Sequence, residues 1–470
     1  MKRKFGLLLA GLSLVCASLP AQADKIDDYI KREMKKRQIP GVALAVIKDG
    51  KVVKMKGYGL ANVELGVPVT PDSVFNLASL TKQFTAAAIM LLVEDGKIGL
   101  DDRISKYLPN APDAWSGITV RHLLTHTSGV KKTELPRCNE SWLLEYTTVQ
   151  MFEHASKLPP NFAPGERWWY SNQGYILLGM IIEKVSGKRY GEFLRERIFQ
   201  PLGMNATTIH DGWNVIKNRA AGYTRRNGEL SRDWYSAAHI ELSSAYGLLS
   251  TSRDLVKWDA ALSGEKTLKK ASLDVVWIPV KLNNGFHHNY GFGWFLDEFR
   301  GHRVVQHGGS TGTFILRLPD DKLTVVFLSN LGEAPTFDPV SMARGIAGRY
   351  IPEILPGSLK QQHDPYPEQT LRMKSVLSDI ANNVKDSPLL TPEFNTSPPD
   401  EREVAGPWLK DLKSFTFVAC EDAQGSRVER YGVPVSRICY YRAADPLGTR
   451  YFLFYLTADG KVADLASSPE

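Results

Sequence analysis

Apolar residues along this chain fall into two spacings. Ile26, Tyr29, Ile30 and Met34 recur every three or four positions and predict a helix over 24–37. From Gly41 the stretch "GVALAVIKDGKVVKMKGYG" carries two β-rich runs joined by Asp49-Gly50, a dipeptide suited to the left-handed positions of a tight hairpin turn. Residues 76–275 read as mainly helical, interrupted by loops such as "LPNAPDAW" and "KLPPNFAPGERWW". Strand patterns return at Tyr290–Asp297, Arg303–Gln306, Thr313–Leu318 and Leu323–Ser329, with "LPDDKL" turning the last pair. Strands at both ends and helices between predict an α+β fold of two lobes. An antiparallel sheet is built from both ends of the domain and flanked by helices, an all-helical lobe is inserted, and a cleft lies between.

From Pro356 the stretch "PGSLKQQHDPYPE" is polar and Pro-rich, which marks a linker over 356–364. Residues 365–470 read as a small α+β C-terminal domain: a helix over Leu371–Ile380, then strands at "SFTFVAC", "SRVERYGV", "SRICYYRA" and "TRYFLFYL". A length of 470 residues accommodates two such domains, 24–355 and 365–470. Residues 1–23 stand apart. Basic "MKRKF", apolar "GLLLAGLSLVCASL" and "AQA" predict a secretory signal cleaved near Ala23, hence a periplasmic or secreted protein without a membrane anchor after cleavage.

Losing Lys2, Arg3 and Lys4 with that signal lowers the formal charge from +7 to +4. The remaining basic residues are scattered among acids, which argues against a nucleic-acid partner. Cys138, Cys420 and Cys439 remain; the last two suit a pair across neighbouring strands, and three buried thiols suit the spacing equally well. Without a CxxC there is no support for a zinc ribbon or redox motif, and no metal or cofactor is expected.

Candidate chemistry begins at Ser79-Leu80-Thr81-Lys82, at the head of an apolar helix. The S-x-x-K spacing is weak alone, since Ser128 with Lys131 and Ser263 with Lys266 share it; a capping serine and a solvated lysine explain it as well. The chemical reading is sharper. A serine hydroxyl needs a neighbour to take its proton, and a lysine three residues on reaches the same helix face. Desolvated, that lysine is neutral and able to accept. Tyr170-Ser171-Asn172 sets a phenol and an amide at the start of another apolar helix, and His307-Gly308-Gly309-Ser310 feeds a strand, its glycines clearing space for a substrate backbone.

In the order S-x-x-K, Y-x-N, H-x-G, these segments resemble the serine β-lactamase and penicillin-binding protein superfamily, in its class C-like branch. Connecting stretches share the likeness: "IPGVALAVIKDGK", "ITVRHLLTHTSGV", "IFQPLGMNAT", "GLLSTSRDLVKW" and "YGFGW". It covers about residues 25–350. The resemblance implies a β-lactamase/transpeptidase-like fold with Ser79 as acylated nucleophile, Lys82 as its proton acceptor and Tyr170 as general base and acid with a lowered pKa. Asn172 would orient Lys82 and the substrate amide, and His307 with Gly309 would line the substrate's far end. The amides of Ser79 and Ser310 would form an oxyanion hole.

That implies a serine hydrolase acting through an acyl-enzyme on a small molecule or short peptide, cell-wall-derived ones included. H-x-G in place of K-T-G points toward D-amino-acid peptidases of the branch. A carboxylesterase and a slowly deacylating penicillin-binding sensor are the alternatives. An ordinary histidine near pH 6.5 would make His307 a better anion binder in acid. His122 and His126 read as structural, the adjacent His287-His288 as unsuited to one metal, and Trp168-Trp169 as cleft lining or core.

Overall fold

A computed structural model of the chain describes residues 19–131, 147–209, 214–226, 228–233, 244–332, 337–382, 384, 386–396, 409, 412–445 and 448–469. Most of the predicted signal and Cys138 lie outside these. The chain opens with α1 (Leu19–Arg37), β1 (Gly41–Lys48), β2 (Lys51–Asn62) and β3 (Val67–Pro68). A mainly helical stretch follows, whose longest members are α2 (Thr81–Glu94), α3 (Asn172–Ser186) and α4 (Ser252–Ser263). The chain then returns through β4 (Phe295–Phe299), β5 (His302–Gly309), β6 (Thr313–Leu318) and β7 (Leu323–Ser329) to α5 (Pro339–Ala347).

These strands form one seven-stranded sheet in the order β4-β5-β6-β7-β1-β2-β3, every pair antiparallel. Its two parts come from segments far apart in the sequence, 41–68 and 295–329, and β1 is zipped to β7 along its length. The almost uninterrupted apolar runs of β1, β6 and β7 have a simple cause: both faces are covered. Val42, Leu44 and Val46 point into a core shared with α1 and α5. Ala43, Ala45 and Ile47 point the other way, into the larger core around α2 and α3. Each buried Val, Leu or Ile contributes about 1.5–3 kcal/mol. The β1–β2 turn has Asp49 and Gly50 at φ 52° and 72°, the left-handed pair the dipeptide predicts.

Two strand boundaries differ from the sequence reading. Tyr290–Asp297 is not one strand: β4 starts at Phe295, because Gly291 and Gly293 fold 290–294 down onto the helical lobe. A Cβ on Gly293 would sit 2.8 Å from the Lys82 carbonyl oxygen, so only glycine permits the approach. Tyr290 therefore leaves the sheet and turns inward. Conversely, β5 extends beyond Gln306, since Gly308 and Gly309 continue the ladder against Phe314 and Thr313.

Downstream, α6 (Pro367–Ala381) lies over a four-stranded antiparallel sheet of β8 (Ser414–Asp422), β9 (Arg437–Asp445), β10 (Gly448–Leu456) and β11 (Val462–Pro469), in that order. The expected strand "SRVERYGV" is instead a small hairpin, turned by Tyr431 and Gly432 at φ 51° and 79°. The sheet takes its last strand from Val462–Pro469, a run too poor in large apolar residues to read as a strand beforehand. Cys420 and Cys439 are register partners in β8 and β9 and form a disulfide. This unit sits on the main sheet's edge through buried charges: Arg430 pairs with Asp297 of β4 and with Asp464, and Arg344 donates to the Ser467 carbonyl.

Candidate active site

Ser79 does not cap a helix. It lies in a 3-10 turn, Ala78–Leu80, that runs directly into α2, and no side chain caps either junction. Ala78 before it is held at φ 46°, with its N–H donated to the Asn76 side chain. A non-glycine residue in that region costs about 1–3 kcal/mol, a strain that surrounding structure must impose. Here the imposing element is β5. A Cβ on Gly309 would meet the Leu77 carbonyl oxygen at 2.3 Å and the Ala78 Cβ at 3.1 Å, and Thr313 donates to the same Leu77 oxygen. Gly309 thus clears space for the chain's own nucleophile turn rather than for a substrate backbone, and exposed Ser310 follows immediately beside that turn.

Lys82 is fully buried, 0% exposed. Its Nζ lies 3.0 Å from Ser79 Oγ, 2.7 Å from Asn172 Oδ1 and 2.9 Å from the Ala245 carbonyl oxygen. None of the three is anionic. Burial, with no counter-charge on it among the described residues, pushes the ammonium well below the usual lysine range. The clamp comes from α2 itself and from residues 244–248: Thr85 donates to the Ser244 carbonyl, and Thr81 accepts from the Leu248 amide.

Asn172 is the first residue of α3, whose N-cap is Ser171, accepting from the Gly174 amide. Tyr170 precedes that cap, half-buried, with its ring centroid 4.6 Å from Lys82 Nζ. The ring also packs against His126, centroids 4.3 Å apart. The backbone on both sides of Tyr170 is tied to that histidine: the Trp169 amide donates to the His126 carbonyl and the Ser171 amide to His126 Nδ1.

His307 is where the sequence expectation needs correction. Its ring is 2% exposed and both nitrogens are occupied, Nδ1 by the Gly308 carbonyl at 2.8 Å and Nε2 by the Tyr290 hydroxyl at 3.1 Å. Burial, with Lys82 nearby, pushes its pKa down to about 3, so it does not charge at pH 6.5 and offers no imidazolium to an anionic group. The wall around it is aromatic: Phe295, Tyr290 and Trp168, the last stacked face to face on His288 at 4.0 Å.

His122 is structural, its ring closing a capping box with Thr119. His287 and His288 alternate, one exposed and one buried. Among the described residues no three His, Cys, Asp or Glu side chains are grouped to hold a metal, and no helix is long and apolar enough to cross a membrane. Sequence reasoning passed over Ala245, Tyr290 and the site role of His126. The last two stand in "YGFGW" and "THTSG", segments that carry the family resemblance, where they read as strand and as a structural histidine; a carbonyl such as that of Ala245 leaves no mark on a sequence.

Comparison with known proteins identifies the family. The Beta-lactamase family model matches residues 26–347. Penicillin-binding protein 4* of Bacillus subtilis (strain 168) is 34% identical over 323 residues, 64% of this chain and 70% of that protein. Protein flp of Staphylococcus aureus (strain MRSA252) is 30% identical over 323 residues, 65% of this chain and 62% of its own length, so the match spans less than two thirds of that relative. Among solved structures, the octameric penicillin-binding protein homologue from Pyrococcus abyssi superposes with a TM-score of 0.61 at 25% identity, covering 93% of this chain and 94% of that one. EstCE1, described as a hydrolase with promiscuous acyltransferase activity, shares the fold at a TM-score of 0.59 and 21% identity, over 72% of this chain and 98% of its own. The family match contains every site residue from Ser79 to Ser310, and this chain belongs to the Beta-lactamase family.

Proposed function

We propose that this protein is a serine hydrolase that works through an acyl-enzyme on a small ester, amide or short peptide. One observation carries the reading: a fully buried Lys82 amine 3.0 Å from the Ser79 hydroxyl, its pKa pushed down by burial, with no carboxylate among its hydrogen-bond partners in the described residues. Such an amine accepts the Ser79 proton as Oγ attacks the carbonyl carbon. The resulting oxyanion is received by the amides of Ser79 and Ser310, each donor contributing about 3–4 kcal/mol. On collapse, the leaving group takes a proton through Lys82 and Tyr170. Tyr170 then activates the water that frees Ser79. Asn172 keeps the amine aimed by accepting from it.

An uncharged His307 set among aromatic rings favours substrates whose far end carries no carboxylate, which supports simple esters and amides over D-alanyl-D-alanine peptides and β-lactams. The D-amino-acid peptidase reading rests on the H-x-G order alone. A panel of p-nitrophenyl esters, D-amino-acid amides, D-alanyl-D-alanine peptides and nitrocefin, run beside Ser79→Ala, tests the proposal. Turnover of an ester or amide that disappears in the variant is expected; a Ser79→Ala protein that keeps its turnover sinks it. Intact mass after fluorophosphonate treatment should show one adduct on the native chain and none on Ser79→Ala. A substrate-derived adduct that persists without product release would favour the slowly deacylating sensor instead.

A further inference from the structure

Two buried imidazoles, His126 and His307, meet at one phenol. Tyr290 Oη lies 3.2 Å from His126 Nε2 and 3.1 Å from His307 Nε2. The backbone decides each proton independently. At one end, the Ser171 amide donates to His126 Nδ1, so that nitrogen is bare and the neutral ring carries its proton on Nε2. At the other, the Gly308 carbonyl can only accept, so His307 carries its proton on Nδ1 and its Nε2 is bare. His126 Nε2–H therefore donates to the Tyr290 oxygen, and the Tyr290 hydroxyl, which also faces the Tyr175 oxygen, is the donor within reach of the bare His307 Nε2. Assigned from opposite ends, the two tautomers fit one hydroxyl without conflict.

We propose that His126 and Tyr290 are positioning residues of this site: with His307 they form a single directed hydrogen-bond chain that holds the His307 ring in one tautomer and seats Tyr170 over Lys82. The chain runs from the Ser171 amide to the Gly308 carbonyl, joining the segment that carries Tyr170 to β5, which ends at Gly309 just before Ser310. The lobe and the sheet are thereby locked in register across the cleft. Tyr290 is free to serve both because the glycines around it take it out of β4. His126 itself stands at φ 59°, a strained conformation for a side-chain-bearing residue and one that turns its ring beneath Tyr170.

Among the described residues, the groups facing the chain are Lys82 and a set of aromatic rings. Lys82 comes from α2, Tyr170 and Tyr175 from the α3 side, and His288 and Phe295 from the sheet side. The Tyr175 hydroxyl donates to the Leu124 carbonyl, so toward Tyr290 it acts as an acceptor and leaves both histidine tautomers as assigned. Burial holds both imidazoles far below the ordinary histidine range, in keeping with rings whose nitrogens are already spoken for.

The kinetic arm of the test rests on the acyl-enzyme reading, whereas the spectroscopic arm does not. In 15N-histidine-labelled protein without substrate, long-range 1H–15N spectra should show His307 with Nδ1 protonated and Nε2 bare, and His126 with the reverse, unchanged from about pH 5 to about pH 8. His126→Phe and His307→Gln assign the signals. Either ring in the opposite tautomer, or titrating within that range, overturns the proposal even if Ser79 chemistry stands. For kinetics, His126→Phe keeps a ring under Tyr170 but removes both nitrogens, while His126→Gln keeps an acceptor and a donor. We expect His126→Phe and Tyr290→Phe to lose about 10–100-fold in kcat with little change in KM, and His126→Gln to recover much of it. His126→Phe within twofold of the native kcat would reduce the ring to packing and refute the chain.

Discussion

At the residue scale, Lys82 is the position where burial and function are hardest to separate. Lys82→Met keeps the volume and the apolar surroundings but removes the proton acceptor, so kcat should fall by about 10²–10⁴ while the protein still melts cooperatively. Lys82→Arg is the informative contrast. A guanidinium stays protonated, cannot accept, and would be an uncompensated buried charge, costing about 3–5 kcal/mol of stability as well as activity. A thermal melt beside steady-state rates separates the two, and an active Lys82→Arg enzyme would remove Lys82 from the base role. His307 supplies the second residue-scale prediction. Because its ring is buried and neutral down to about 3, KM for an anionic substrate should not improve between about pH 8 and about pH 5.5. Improvement that disappears in His307→Gln would show that the ring charges after all.

At the scale of elements, the site depends on how closely β5 is pressed against the turn that carries Ser79. Gly308 and Gly309 are neighbours with unequal duties. On Gly308 a new Cβ would come 3.0 Å from the Phe314 ring, which is able to shift. On Gly309 it would meet the Leu77 backbone oxygen at 2.3 Å, which is fixed by the Ala78 geometry. Gly309→Ala should therefore push the nucleophile turn out of line, lowering kcat by about 100-fold and stability by about 1–3 kcal/mol. Gly308→Ala should keep most of its activity. Paired kinetics and melts of the two variants test this directly, and equal effects would contradict the packing argument.

On the scale of the whole molecule, the site's neutral imidazoles become a pH liability. Burial pushes His288 and His307 down to about 3 and His126 well below its ordinary value. In the unfolded chain the same rings take up protons near pH 6.5. Between those limits the unfolded state binds more protons, so stability rises with pH and is lost on acidification, by up to about 1.4 kcal/mol per pH unit for each histidine. Asp464 acts in the opposite sense: burial raises it to about 6, so it holds a proton in the folded state below that pH and returns part of the loss. Guanidinium midpoints should fall clearly between about pH 7 and about pH 5. A midpoint that holds or rises over that range would mean the rings are charged when folded.

The sequence alone determined much of the frame. Period-two and period-3.6 patterns are local, so the β1–β2 hairpin, β6, β7 and α6 were legible within a few residues. The order of S-x-x-K, Y-x-N and H-x-G was legible as well, because motif order needs no coordinates. What it could not supply was anything that depends on which surfaces meet. Tyr290 reads as strand because its glycines look like strand irregularities until the α2 backbone beside them is known. His307 was read as a titratable substrate contact because an intrinsic pKa belongs to a solvated ring, and only packing removed the solvent. The terminal strand Val462–Pro469 was missed because its strand character comes from its neighbour β10 rather than from its own side chains. Spacing along a chain encodes which face a residue occupies; only tertiary contact decides what that face touches, and with it the protons and the charge.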